Sequence, residues 1–403
     1  MPSRRRADAA RNDELFLDAG LELLRERGPD RIAALELARS AGLTTGAVYA
    51  RYENPAEIMV GLWQHRIATP MRMFLENSLE ALIDDSDTAR ASVTRALANP
   101  SGPLRPGVSM LIAATRVPEL AEIVRPDLES WIADLEIEVD SGEERQKQKV
   151  FVAAALGCLM FATVDMFDHD DWTFLRRIAE AANSDRTVGR FPLPEPAPLA
   201  DLGIETGEPV RDAIVNGAAR VIANGGIERA TTQRIARAAG LQPNEIFSVY
   251  RTRSELFADV AKNVLDDILS GGRSITRPRT DHDDTSTWQE RFLVGKVSEY
   301  RSLLQPIHSE NRRLRLEFLL AACHDDSIST AMHQVDQEVN RAVARDLDTV
   351  LGIDSSIALR TVRLVRTSGF GALLLEELLG GYAELDLRYF FEPIVETMEE
   401  SSP

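Results

Sequence analysis

Apolar side chains recur along the chain at intervals of three and four residues. Leu15, Ala19, Leu23 and Leu24 do so near the start, and Ile214, Ala218, Val221 and Ile222 do so midway. That spacing lines one face of a helix. The same patterning predicts later helices over 56–83, 108–115, 118–138, 145–167, 172–182, 254–269, 288–304, 312–323, 327–350, 356–379 and 386–399. No segment stands out with the period of two that marks a strand, so the expected fold class is all-α.

The pattern is written twice. Sliding the sequence by 198 residues brings Gly28 onto Gly226, Arg31 onto Arg229, Ala41-Gly42-Leu43 onto Ala239-Gly240-Leu241, Tyr52 onto Tyr250 and Glu57 onto Glu255. Positions 28–57 hold nine identities in all, where chance gives roughly two. A fainter echo sets Leu111-Ile112-Ala113-Ala114 against Leu319-Leu320-Ala321-Ala322 at a shift of 208, with extra loop expected around Gly271 to Thr287. The join is Pro-rich, with Phe-Pro-Leu-Pro-Glu-Pro-Ala-Pro at 191–198. Such a segment favours an extended, semi-rigid spacer. Five segments follow: 1–55, 56–183, a linker at 184–209, 210–253 and 254–403.

Composition narrows the classes. At 403 residues, 44% apolar and 27% charged, the chain can bury a core in each half. Its longest uncharged stretch, Val150 to Val164, has fifteen residues, short of the roughly 20 that a membrane helix needs. The arginine-rich start lacks the apolar run of a secretory signal. Cys158 and Cys323 are the only cysteines and form no CxxC, which fits a reducing cytoplasm. The net charge of −18 argues against nucleic acid until it is mapped. Residues 1–66 hold ten Arg and ten acidic groups, and residues 207–262 hold eight basic and six acidic groups. Two near-neutral islands thus sit in an acidic body, which repels DNA from every other face.

Each island predicts a helix-turn-helix. In the first, a helix over 12–27 stops near Gly28 and a short one covers 35–41. Gly42 breaks it, Leu43 fills the turn, and Thr44 caps a third helix that ends near Tyr52. The run Leu37-Ala38-x-x-Ala41-Gly42-Leu43-Thr44-x-Gly46-x-Val48-Tyr49-x-x-Tyr52, then Glu57-Ile58, resembles the DNA-binding signature of the TetR family. So does the run from Thr231-Thr232 through Ala239-Gly240-Leu241 and Phe247-x-x-Tyr250 to Arg253-x-Glu255-Leu256. The resemblance implies a regulator with double-stranded DNA as partner, a larger helical domain that dimerises and binds a small effector, and no cofactor. It places DNA contacts at Thr44, Thr45, Gly46, Ala47, Tyr49, Arg51 and Tyr52 in the first copy. In the second it places them at Thr231, Thr232, Gln242, Pro243, Asn244, Phe247, Ser248, Arg251 and Arg253.

The copies depart from the family pattern differently. In the first, Ala33 and Pro55 stand where a Thr and a basic phosphate clamp are usual. The second keeps its clamps as Thr231, Thr232 and Arg253. Its reading helix carries Pro243, tolerable in a first turn, with Gln242 and Asn244 able to pair adenine. Glu245 would face phosphates unless it accepts from a cytosine amine. Arg4-Arg5-Arg6 reads as a groove-following arm or a solvated terminus.

The last helices of each half predict a four-helix interface: Phe151 to Phe167 with Trp172 to Ala182, and Ile357 to Leu379 with Leu387 to Met398. Fusion would make the pairing intramolecular, a pseudo-dimer open to further homodimerisation. Effector candidates among the middle helices are Met110, Thr115, Trp131, Phe151, Phe161, Phe318, Cys323, Met332 and Phe370. The expected function is a cytoplasmic, ligand-responsive regulator, a repressor rather than an activator. One alternative is a helical binding protein with one or both DNA-binding units inactive. A second, weaker one is a metal phosphohydrolase built on His169-Asp170-Asp171, His282-Asp283-Asp284 and His324-Asp325-Asp326. Neighbours on a helix face different ways, so these triplets read as solvated loop ends and no metal or catalytic residue is expected. No GxxxxGK[ST], GxGxxG or GxSxG is present.

Overall fold

The structure, a computed structural model, describes residues 2–84, 86–136, 141–184, 189–196, 204–205, 207–263 and 287–400. Among these residues every regular element is a helix. The first half runs α1 (Pro2–Arg27), α2 (Ala34–Ser40), α3 (Thr45–Tyr49), α4 (Pro55–Leu62), α5 (Ala68–Ile83), α6 (Asp87–Ala98), α7 (Leu104–Ala114), α8 (Pro118–Glu136), α9 (Gly142–Ala162) and α10 (His169–Ala182). The second half runs α11 (Pro209–Gly225), α12 (Thr232–Ala239), α13 (Pro243–Val249), α14 (253–263), α15 (Trp288–Leu303), α16 (Ser309–Ala322), α17 (Asp326–Leu351), α18 (Ser355–Leu379) and α19 (Arg388–Glu400). Short side chains start many of them. Ser86, Ser141, Asp168, Thr287, Asp325 and Asp354 each accept from a first-turn N–H.

Periodicity placed most of these helices and missed α6. Its apolar stripe is one residue wide, Ala89, Val93 and Leu97, too thin to stand out from its polar neighbours. The backbone at Arg4-Arg5-Arg6 belongs to α1 rather than to a trailing arm. α4 and α5 are one rod, joined by a wider turn at Trp63–Ile67. The expected extra loop at 271–287 lies, but for its last residue, outside the described residues, as do positions 264–269 of the predicted 254–269 helix. So does the His282 triplet.

α9 packs along α18, and α10 packs against α18 and α19, so the two halves share the four-helix interface that the apolar blocks predict. The crossing of α9 and α18 is glycine-dependent. A Cβ on Gly157 would lie 2.0 Å from the carbonyl oxygen of Thr367, and one on Gly371 would lie 1.8 Å from that of Ala153. Each glycine opposes the residue four before the other, as a two-fold contact between like elements requires. Around it, Phe161 meets Phe370 edge to face at 5.1 Å, and Phe151 meets Phe390 at 6.5 Å. Arg363 of α18 grips Asp171 of α10 at 2.6 and 3.0 Å.

Asp171 is 1% exposed, which overturns the solvated reading for that residue, while His169 and Asp170 are exposed as expected. A carboxylate without this arginine would be a buried, uncompensated charge. His324 is likewise drawn into an interface described below.

The Pro-rich join is pinned down. Glu392 of α19 accepts from Gly189 N at 3.0 Å and Phe191 N at 3.2 Å. Arg388 donates to the Phe191 carbonyl at 2.8 Å, and Arg190 pairs with Glu399. Arg301 donates to the carbonyl of Pro194, one of the prolines that have no N–H of their own to offer. The described part of the spacer, 189–196, therefore lies along the second half.

Replacing Gly371 by Ala is expected to destabilise the chain by about 1–3 kcal/mol, because two backbones must move apart. Urea unfolding measures this, and an unchanged midpoint would show that the crossing is slack.

Candidate nucleic-acid interface

The two short-helix islands fold alike, from the same local chemistry. α1 ends at Gly28 (φ 80°) and α11 at Gly226 (φ 79°). After α2, Gly42 (φ 67°) turns the chain and Leu43 N donates back to Ala38 O at 2.8 Å. After α12, Gly240 (φ 70°) turns it and Leu241 N donates to Ala236 O at 2.9 Å. Only a residue comfortable at positive φ permits this tight corner. Val48 and Ile246 are buried where the third helices pack on α2 and α12, whose Leu37 and Ile235 are buried too.

The third helices begin differently. Thr44 Oγ1 accepts from Ala47 N at 3.2 Å, capping α3. In α13 the cap comes from inside: Glu245 Oε2 accepts from Gln242 N at 2.7 Å. This revises the expectation that Glu245 confronts phosphates, since its carboxylate is spent on the helix's own first turn. α3 also ends at Tyr49, earlier than expected. Tyr52 lies beyond it and is half-buried, its ring 3.2 Å from where a Cβ on Gly61 would stand. Tyr52 is thereby a packing residue that anchors α4.

The repeated Glu57 and Glu255 have the same explanation. Glu57 accepts from Glu53 N at 2.7 Å while Asn54 caps Glu57 N. Glu255 accepts from Arg251 N at 2.9 Å while Thr252 caps Glu255 N. These capping boxes start α4 and α14. Ala33 leaves α2 without a side-chain cap, whereas Thr231 supplies one to α12 from its hydroxyl.

What remains outward is clear. Tyr49 and Phe247, at matching positions, are each 62% exposed. Thr44, Gly46, Gln242, Pro243, Asn244, Ser248, Arg251 and Thr231 are exposed as well, and Thr45, Ala47 and Thr232 are partly so. Arg51 and Arg253 are exposed too, and each also has partners within the protein. Arg51 pairs with Asp13 of α1. Arg253 donates to the Ile227 carbonyl and lies 4.8 Å over the Phe257 ring. Tyr250, the counterpart of Tyr52, is buried and donates to Asp259, which Arg211 also holds in a bidentate pair. Burial works to raise the Asp259 carboxyl, and these hydrogen bonds overcome it and hold it below its ordinary range.

The two islands also touch. Arg31 and Glu228 pair at 2.6 Å across them. Each half additionally sends the corner after its seventh or sixteenth helix to the other half. Arg116 stacks on Gly226, within 2.8 Å of a Cβ there, and binds Glu317 at 2.5 Å and Asp30 at 2.6 Å. His324 sits on Gly28 in the same way, with Ser109 at 3.4 Å from Nε2. Sequence reading had assigned neither role. Arg116 and His324 coincide at the 208-residue shift, which was the available signal.

Of the nine effector candidates, Phe370 alone lines the cavity bounded by α15, α16, α17 and α18. The other eight serve elsewhere. Trp131 stacks on Trp63 at 5.9 Å, Phe151 and Phe161 join the halves, and Thr115 bonds its own helix. Met110, Phe318 and Met332 are core, and Cys323 lies 3.6 Å from Thr163. Large apolar side chains fill space, so size selected packing rather than a cavity. Among the described residues no three His, Cys, Asp or Glu side chains gather as metal ligands, and no helix is long and apolar enough to cross a membrane.

Two helix-turn-helix heads on a helical body define an all-α DNA-binding regulator. The model for "Bacterial regulatory proteins, tetR family" matches residues 16–60 and again 214–260. The chain thus carries two TetR-family DNA-binding units in tandem. A transcriptional regulator from Rhodococcus sp. Rha1 is similar to it at 15% identity and a TM-score of 0.35, over 47% of this chain and 95% of that one. Comparison with curated proteins gives no match.

Burial, and then the nearby Arg105, push the His324 imidazole down to about 4 from 6.5. Its neutral form is the folded form, so its contribution is whole above pH 6.5 and is lost as pH falls toward 4. Relative to His324→Gln, the wild type is expected to lose on the order of 2 kcal/mol between pH 7 and 4.5. Urea unfolding of both proteins at the two pH values checks this, and a constant difference would refute it.

Proposed function

We propose that this TetR-family regulator is a ligand-responsive repressor acting as a single-chain pseudo-dimer. Both reading helices, α3 and α13, would enter major grooves of one duplex, with half-sites about 34–36 Å apart. The observation that carries the reading is the two-fold-like contact of Gly157 with Gly371, which pairs the halves within one chain as a dimer interface pairs two. Exposed Tyr49 and Phe247 support both heads as readers. Because α3 and α13 differ in sequence, the operator is an imperfect palindrome with unlike arms. Thr44, Thr45, Gly46, Ala47 and Tyr49 are the contacts of the first arm. Gln242, Pro243, Asn244, Phe247, Ser248 and Arg251 are those of the second, with Thr231 and Thr232 on phosphate. Ligand entry among the helices behind would tilt α4 or α14 and alter the separation of the reading helices. It can do so only through unequal affinity for the two arrangements. A regulator of this kind works in the cytoplasm.

Duplexes selected from a random pool are expected to carry two unlike arms and to bind one chain each, as sedimentation with labelled DNA would report. Two chains per duplex would refute the single-chain reading, and a lone arm would refute reading by both heads. Tyr49→Ala and Phe247→Ala should each weaken the selected duplex at least tenfold, about 1.4 kcal/mol, without changing thermal unfolding.

A further inference from the structure

The cavity bounded by α15, α16, α17 and α18 has a volume of about 80 Å³. That is room for on the order of half a dozen water-sized groups. Its walls are chiefly apolar, with Val339, Val362 and Phe370 among them. Polar groups break this lining, which a dry apolar gap would not need.

Arg366 of α18 reaches the cavity from beneath. Its Nη1 is held by Asp336 and Asn340, while Nε and Nη2 are buried without a partner. Five residues earlier on the same helix, Thr361 also lines the cavity, and its buried hydroxyl oxygen has no partner either. Leaving such donors unmade in an apolar site is costly, most of all for a charged group. Burial also pulls the Arg366 guanidinium down to about 10. Lys296, paired with Glu299 at 2.8 Å, and Arg315 complete the charged wall.

Resting on the ligand-responsive reading above, we infer that this cavity binds a small apolar monocarboxylate whose carboxylate takes up the free Arg366 donors and the Thr361 hydroxyl. A carboxylate matches the planar guanidinium fork. The apolar body replaces the hydrophobic void. One molecule binds per chain. The offset that superposes Gly157 on Gly371 and Ala153 on Thr367 puts Val152 where Arg366 stands, so the first half has no such fork. The ligand is also wired across the interface, because the Arg366 guanidinium lies 5.0 Å over the ring of Phe161 in α9.

Calorimetric titration of the full chain tests this with benzoate and hexanoate, against benzamide and hexylamine. Both acids, or whichever of the aromatic and aliphatic bodies fits, are expected to bind one per chain and at least tenfold tighter than the amide and the amine. Arg366→Met should weaken the acid at least tenfold, and Thr361→Val about threefold or more. Thr361→Val leaves a buried methyl in place of an unpartnered hydroxyl, so it tests the site even if Arg366→Met fails to fold. An amide as tight as the acid, two acids per chain, indifference to Thr361→Val, or no binding of either acid at millimolar concentration would overturn the assignment. An acid that binds one per chain without changing duplex affinity would uphold the site and refute only the ligand-responsive reading.

Discussion

At Gly157 and Gly371 the backbones of α9 and α18 lie so close that a single added carbon on either would meet a carbonyl oxygen within 2.0 Å. The close crossing lets Phe161 reach Phe370, lets Phe151 reach Phe390, and brings Arg363 onto Asp171. It also sets how far apart the two bodies stand, and thereby where each corner lands on the opposite head. Arg116 on Gly226 and His324 on Gly28 depend on that spacing. A helix pair separated by ordinary side chains, with axes 8–10 Å apart, would place these contacts out of reach.

A homodimer must use every contact twice, but a fused pair is free of that constraint. Related positions here carry different chemistry. Arg116 meets Glu317 on one side, and His324 meets Ser109 on the other, an ion pair opposite a neutral contact. One reading helix is capped by a threonine hydroxyl and its twin by its own glutamate. The pinned spacer shows a similar bias, since its residues 189–195 bond to the second half. Divergence of this kind is tolerable because the linker keeps unlike halves together at high effective concentration. The same freedom permits an effector site in one half only.

Capping explains several identities that look at first like recognition. Glu57, Glu255 and Glu245 accept from backbone N–H groups, and the Tyr pair at 52 and 250 packs beneath α4 and α14. A family signature mixes residues that touch a partner with residues that hold the touching ones in place. Here the exposed set is smaller than the signature, and its Arg51 and Arg253 are steadied by ion pairing and stacking.

Sequence alone determined the helical class, the duplication, the turns at Gly42 and Gly240 and the apolar blocks of the interface. Each of these is written in residues a few positions apart, so spacing and backbone preference suffice to read them. α6 escaped because three apolar residues, one per turn, leave too little periodic signal. Tertiary structure decided the rest. Asp171 looked solvated until Arg363, 192 residues away, was brought to it. His324 and Arg116 became buttresses only when the other half lay against them. The cavity escaped every size-based choice but Phe370, because a cavity is the space left after helices pack, and no single residue encodes it.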